Sequence, residues 1–307
     1  MKWIITLLTS CTFLFSCGKG GTEVVTQPAP TDSLGGWQKI TPNIGKALDI
    51  VFVSAAKGYI ANSSGLYQSS DSGKTWAFMP GVGNGSISTI NFMNPQNGYF
   101  VGNRYGFTTN SGTNWTTLNT NSSGMDVFFT NTNTGCLAGY NGIERTTDTG
   151  RTWIRVLNEI ASSIYFPDAN NGWAGGRNKI FKTTNGGMNW TPNYADQFGE
   201  VMAIQFVSLN NGWFTGMGNN AVYRTTDGGS NWQRVAINGS AYDLHFIDNS
   251  LGYVVTRQGR ILKSTDGGNT WLQDAKLVDS DFIEVFFLDA NHGWAVTTSG
   301  TLMRWKR

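Results

Sequence analysis

The sequence predicts an all-β protein, a seven-bladed β-propeller of four-stranded blades closed by pairing the two ends of the chain. Three observations predict it. A segment of the form Ser/Thr-x-Asp/Asn-x-Gly-x-Thr/Asn-Trp occurs six times, from Ser69, Thr108, Thr146, Thr183, Thr225 and Ser264. Its Trp residues fall about 39 residues apart, a period that suits one four-stranded blade. A short apolar run centred on Phe52, Phe92, Phe129, Phe166, Phe206, Phe246 and Phe287 recurs seven times in register with it.

The elements follow in chain order. Lys2 and the short apolar run from Trp3 to Phe15 read as an export signal, too short to remain as a membrane span. The run ends in Leu14-Phe15-Ser16-Cys17, which resembles a bacterial lipobox with Cys17 as the lipidated residue; Leu8-Thr9-Ser10-Cys11 is the alternative cut. A signal peptide over 1–16 is therefore expected. A flexible linker follows over 17–35, rich in Gly, Thr, Pro and Ser, with a root-mean-square reach of roughly 20–25 Å. The propeller itself is expected over 36–307. Once Cys17 is the first residue, Cys136 is the single remaining cysteine and no intrachain disulfide is possible. Cys136 follows Gly135 where other repeats carry Tyr or Trp, which marks it as a packed apolar residue.

Within a unit, residues 49–53 read as the inner strand, 58–62 as the second, 66–70 as the third and 75–79 as the outer strand. The inner strands are nearly continuous apolar runs, as expected where both sheet faces are covered. About six residues after each Phe stands Gly plus an aromatic: Gly58-Tyr59, Gly98-Tyr99, Gly172-Trp173, Gly212-Trp213, Gly252-Tyr253 and Gly293-Trp294. The seventh unit is split. Gly293 to Trp305 stops before any box, so Trp37 to Thr41 is expected to supply its missing outer strand and remove an open sheet edge.

The box is expected to be a hairpin tip between third and outer strands. Asp71, Asn110, Asp148, Asn185, Asp227 and Asp266 accept backbone N–H groups there, Gly supplies the positive φ, and Trp covers the turn. Asn at two of the six positions suits a turn cap and suits a metal site badly.

These residues resemble Asp-box (BNR) repeats, found in sialidases, xyloglucanases, sortilin-type receptors and the photosystem II assembly and stability factor family. The Phe-bearing inner strands, the Gly-aromatic pairs and boxes such as Thr225 to Trp232 are most similar to the last of these, over about residues 36–307. That resemblance implies a non-enzymatic assembly scaffold. The lipobox points to a bacterial envelope relative with another partner.

Several functions are excluded or weakened. The formal net charge of +2 gives no bulk electrostatic case for nucleic acid or membrane binding. The Arg-Ile-Pro motif of sialidases is missing, since Pro28, Pro30 and Pro42 follow Gln27, Ala29 and Thr41. His245 and His292 are the only histidines and fall in different repeats, so no zinc site and no cofactor is expected. No catalytic set is recognisable.

Two patterns remain as candidate sites. Asp49, Asp126, Asp243 and Glu284 precede the inner-strand apolar run and are expected near the mouth of the central channel. They suit a cation, a basic partner or glycoside chemistry; otherwise they cap backbone N–H groups. Arg145, Lys182, Arg224 and Lys263 each stand three residues before a box Asp or Asn. They form a cationic arc for an acidic partner, or else pair between blades. Arg104, Tyr105, Arg177 and Arg257, from the second-to-third-strand turns, are expected on the same face. The leading expectation is a lipid-anchored cell-envelope protein whose propeller binds another envelope protein without catalysis. A carbohydrate-binding or glycoside-hydrolase-like propeller is the alternative, and secretion follows if the lipobox is unused.

Overall fold

The structure is a computed structural model and describes residues 32–118, 124–278 and 280–305. The signal peptide over 1–16, the lipidation site Cys17 and most of the 17–35 linker lie outside the described residues.

The chain is an all-β propeller. After β1 (Trp37–Ile40) comes a sheet of β2 (Ala47–Phe52), β3 (Gly58–Asn62), β4 (Gly65–Ser69) and β5 (Ala77–Phe78). The next holds β6 (Ile87–Phe92), β7 (Gly98–Gly102), β8 (Tyr105–Thr108) and β9 (Thr116–Leu118). A third holds β10 (Gly124–Phe129), β11 (Gly135–Gly139), β12 (Gly142–Thr146) and β13 (Ile154–Leu157). The fourth is wider: β14 (Ser163–Tyr165), β15 (Gly172–Thr183), β16 (Thr191–Phe206), β17 (Gly212–Gly216), β18 (Ala221–Thr225) and β19 (Gln233–Ala236). The fifth holds β20 (Ala241–Phe246), β21 (Gly252–Thr256), β22 (Arg260–Ser264) and β23 (Leu272–Lys276). The last is formed by β24 (Phe282–Asp289), β25 (His292–Thr297) and β26 (Leu302–Trp305), with β1 on its outer edge.

This arrangement corrects the expectation of seven separate four-stranded blades. The described strands form six hydrogen-bonded sheets, five of four strands and one of six. The cause lies in β15 and β16. Elsewhere a turn separates second from third strand, and a loop separates the outer strand from the next inner strand. Here β15 runs unbroken for 12 residues and β16 for 16. Lys182 faces Thr191 at one end of β16, and Val201 faces Gly216 towards the other, so one continuous ribbon serves two repeats. Asn178 takes a positive φ inside β15, and its Oδ1 accepts the Gly199 amide across the fusion at 2.7 Å. A regular spacing of boxes registers repeats; it is blind to whether neighbouring repeats share a ladder.

The two chain ends meet in one sheet. β1 pairs antiparallel with β26, Trp37 opposite Trp305 and Ile40 opposite Leu302. Trp37 is buried, with its ring edge-on to Tyr253, Phe287 and Trp305, and its Nε1 donates to Asp274 Oδ2 at 2.8 Å.

Neighbouring repeats are joined by one repeated device. The aromatic after each repeat Gly stacks on the Phe of the following inner strand: Tyr99 on Phe129 at 3.7 Å, Trp173 on Phe206 at 3.8 Å, Trp213 on Phe246 at 3.6 Å. Trp294 on Phe52, at 3.5 Å, carries the same stack across the junction of C-terminal and N-terminal sheets. The polar end of each of these Trp rings reaches the next box. Trp173 Nε1 donates to Gly228 O, Trp213 Nε1 to Gly267 O and Trp294 Nε1 to Ser72 O, at 3.0–3.2 Å. Each repeat Gly lies under the Phe of its own hairpin. A Cβ on Gly172 would come within 2.5 Å of the Phe166 ring, which is why that position carries no side chain. Cys136 replaces the stacking aromatic at one junction, buried with Phe166, and its Sγ fills the space beside Gly187.

Candidate functional site

A central cavity of about 920 Å³ runs between the inner strands. Seven inner segments face it, namely β2, β6, β10, β14, the C-terminal part of β16, β20 and β24. Each is the innermost strand of its repeat, so one side of its backbone has no ladder partner. Such edges must be satisfied by other means.

The residue three before the repeated Phe does this in four of the seven segments. These positions are Asp49, Thr89, Asp126, Ser163, Ala203, Asp243 and Glu284. Asp49 Oδ2 accepts the Ile90 amide of the next inner strand and the Thr89 hydroxyl, both at 2.7 Å. Asp126 Oδ2 accepts the Ile164 amide at 2.9 Å, and its Oδ1 accepts the Val127 amide at 2.8 Å. Asp243 Oδ2 accepts the Val285 amide at 2.8 Å. Ser163 Oγ accepts the Ile204 amide at 3.2 Å. Two residues after Ala203, Gln205 Oε1 accepts the Phe246 amide at 2.7 Å while its Nε2 donates to the Phe246 carbonyl at 3.1 Å. Three of the four candidate acids thus cap backbone N–H groups, chiefly of the following inner strand. Glu284 shares a hydrogen bond with Asp243 instead.

The electrostatics follow from this placement. Burial pushes the Asp126 carboxyl up to about 6 and raises Asp49 as well. Glu284 is raised by burial and then by the neighbouring Asp243 and Asp49 charges. Asp243 is raised by burial too. His245, two residues after Asp243, is pushed down to about 4 by burial and brings no positive charge at neutral pH. Asp168 and Glu200 also line the cavity, and no Lys or Arg lines it among the described residues. Among those residues no group of three or more His, Cys, Asp or Glu is placed to hold a metal ion.

The mouth at the start of the inner strands is largely apolar, with Ser88 and Glu200 as polar members. In six of these strands a register shift inserts an extra residue just before the position three ahead of the Phe, as between Ala47 and Asp49 or Val201 and Ala203. A bulge of this type re-aims a side chain. Here it brings Leu48, Met125, Met202 and Tyr242 to the cavity wall. The second-to-third-strand turns lie at the same end, since Gly124 pairs with Gly139 and Val201 with Gly216. They carry Tyr140, 62% exposed, and Met217, 41% exposed, both on the cavity wall. Ile160, 48% exposed, joins them: the Ala161 amide donates to Gly139 O, the carbonyl just before Tyr140. Ser162 Oγ donates to Val201 O at 2.6 Å, and the Met217 amide to Glu200 O at 2.7 Å. Tyr140, Ile160 and Met217 therefore sit along one continuous arc of the rim. Sequence reasoning missed this arc, although Met125 and Met202 occupy equivalent places in the repeat.

The basic residues sit at the opposite end of the sheets, beside the boxes. Arg145 Nε donates to Gly186 O at 2.7 Å, and Lys182 Nζ to Gly228 O at 3.0 Å while lying over the Trp173 ring. Arg224 donates to Asn269 Oδ1, and Lys263 Nζ lies 5.3 Å from the Trp305 ring centre. Three of the four therefore reach into the box turn of the next repeat. Arg104, Arg177 and Arg257 belong to the other end, and Tyr105 is buried, so the expected common face does not form.

The box residues are turn caps throughout. Asp148 Oδ1 and Oδ2 accept the Thr152 amide and hydroxyl at 2.9 and 2.6 Å, which holds its carboxyl down at about 2. Asp71 and Asp266 make the same pair with Thr75 and Thr270. Asn110, Asn185 and Asp227 accept the corresponding amides of Asn114, Asn189 and Asn231.

A family model described as photosynthesis system II assembly factor YCF48 matches residues 155–241 and 238–306. The chain is an Asp-box (BNR) β-propeller similar to YCF48. A structure of YCF48 bound to a D1 peptide superposes with a TM-score of 0.75 at 20% identity, covering 91% of this chain and 99% of that one. YCF48 from Cyanidioschyzon merolae gives a TM-score of 0.72 at 18% identity, covering 88% and 98%. A GH74 enzyme from Niastella koreensis gives 0.70 at 14% identity, over 89% of this chain but 53% of the enzyme. At these identities the superpositions establish the fold alone. No curated protein matches the sequence.

Proposed function

We propose that this protein is a binding scaffold that receives a segment of another protein at the apolar mouth of its channel. The observation that carries this reading is the exposed arc of Tyr140, Ile160 and Met217 on the rim of a cavity of about 920 Å³. Exposed apolar patches beside a concave site are characteristic of docking surfaces, and methionine adapts to irregular partners. YCF48, bound to a D1 peptide, is a propeller of similar fold that takes a peptide. Cys17, lipidated, would tether the body at a membrane face, which makes another envelope protein the partner we favour. Palmitate labelling that persists in Cys17→Ala would move the anchor elsewhere.

A carbohydrate role draws support from the GH74 likeness and the channel acids. Asp243 and Glu284, however, hydrogen-bond to each other. Glycosidase carboxyls stand about 5–9.5 Å apart to admit sugar or water between them, so this pair leaves no room. The test of the docking reading is photocrosslinking in cells. A photoreactive residue at 140 or 217 should capture one shared partner, and the same probe at Ile154 on an outer strand should not. Equal capture from all three positions, or none from the rim, would discard the mouth as the docking site.

A further inference from the structure

Resting on that reading, we propose that the mouth selects a segment carrying a lysine or arginine, whose side chain enters the channel while its apolar neighbours rest on Tyr140, Ile160 and Met217. Two independent features converge on this occupant. The rim is an exposed apolar surface on three consecutive stretches of chain, at the ends of β11, before β14 and after β17. An apolar rim alone would accept any hydrophobic segment. The wall below it is one-signed: Glu200 near the rim, then Asp49, Asp126, Asp243 and Glu284, with Asp168 further along.

No Lys or Arg lines the wall among the described residues, and His245 is held neutral by burial. An anionic side chain entering there would find no cationic partner and would raise the proton affinity of the buried acids further. A neutral one would leave the carboxylates as they are. A cation on a long, slender stem fits both parts, because lysine and arginine pass an apolar stem through a mouth and carry charge beyond it. A cation arriving there favours the ionised form of the buried acids, so its entry and the release of their protons reinforce each other.

Fluorescence polarisation tests this on the folded full-length protein. The probes are three labelled peptides, identical and leucine-flanked except for a central lysine, norleucine or glutamate. The lysine peptide should bind at least about tenfold more tightly than the norleucine peptide, with the glutamate peptide weaker than both. High salt should erase most of the lysine advantage. Glu284→Gln, which caps no backbone amide, should reduce that advantage several-fold. Tyr140→Ser should weaken the lysine and norleucine peptides alike. Equal binding of lysine and norleucine overturns charge selection and leaves protein docking intact. Failure of every peptide also overturns the inference, while the crosslinking experiment separately judges the docking reading. A lysine advantage untouched by Glu284→Gln and by the double variant Asp168→Asn/Glu200→Gln would place the cation outside the channel and likewise overturn it.

Discussion

Replacing Trp37 by alanine should loosen the junction of the two chain ends. Trp37 is 3% exposed and meets three aromatic rings at 5.4–6.0 Å. Truncating a buried Trp to Ala costs about 3–5 kcal/mol. Loss of the Nε1 bond to Asp274 adds about 1 kcal/mol. The sum, about 4–6 kcal/mol, corresponds to a fall in Tm of roughly 10–20 °C for a domain of this size. Trp37→Phe keeps most of the ring contacts and should lose only about 1–2 kcal/mol. Urea denaturation followed by far-UV circular dichroism measures both. A second signature is expected, because freeing β1 exposes the edge of β26: the alanine variant should self-associate on light scattering. A Trp37→Ala protein within about 1 kcal/mol of wild type, with unchanged m value, would refute the claim that β1 holds the last sheet.

Three other outcomes can be checked. Glu284 and Asp126 bind protons more tightly folded than unfolded, so their contribution is full below the ordinary carboxylate range and is lost as pH rises through their raised folded-state values, about 6 for Asp126. Glu284→Gln should therefore be the more stable protein at pH 8, with the Tm gap to wild type closing towards pH 4; a gap that widens on acidification contradicts the assignment. Gly172→Ala places a Cβ about 2.5 Å from the Phe166 ring and should cost about 1–3 kcal/mol by overpacking, whereas Gly81→Ala, with open space around it, should cost under about 1 kcal/mol, both read by chemical denaturation. The Cys136 thiol is buried and pushed up to about 12, so a thiol reagent should label it only in denaturant, and fast labelling of the native protein would show the junction beside Gly187 to be open.

Much of the fold is legible because the devices that build it repeat. Boxes, Gly-aromatic pairs and inner-strand Phe residues each recur at a fixed spacing, and each does the same mechanical work wherever it recurs. The fusion of two repeats into one six-stranded sheet is not legible in the same way. It depends on Asn178 and Gly199 bridging two ribbons, a local accident inside an unbroken period. The candidate acids are legible by register, and N–H capping is one of their readings; that the amides belong chiefly to the next inner strand is not visible in sequence, because neighbouring strands lie about 40 residues apart. The basic residues leave two readings open, a cationic arc and pairing between blades, for a related reason. Equal spacing placed Arg145, Lys182, Arg224 and Lys263 together, but most of their polar ends are occupied by the next box turn.

The way the inner edges are satisfied also decides what the channel can bind. An inner strand needs acceptors for its outward amides, and any short side chain with an oxygen will serve: Ser163 does at one junction what Asp49, Asp126 and Asp243 do at others. Carboxylates are the costlier choice, because burying them beside one another raises their proton affinity and weakens the folded state as pH rises. Serine or threonine at all positions would close the same edges at lower electrostatic cost. The concentration of acids along the wall therefore exceeds what edge capping requires. Glu284 makes the point most sharply, since its carboxyl caps no amide and turns to Asp243, where burial and the neighbouring acids hold its proton until a cation arrives. A structural need explains why the positions are polar; an incoming cation explains why so many of them are acidic.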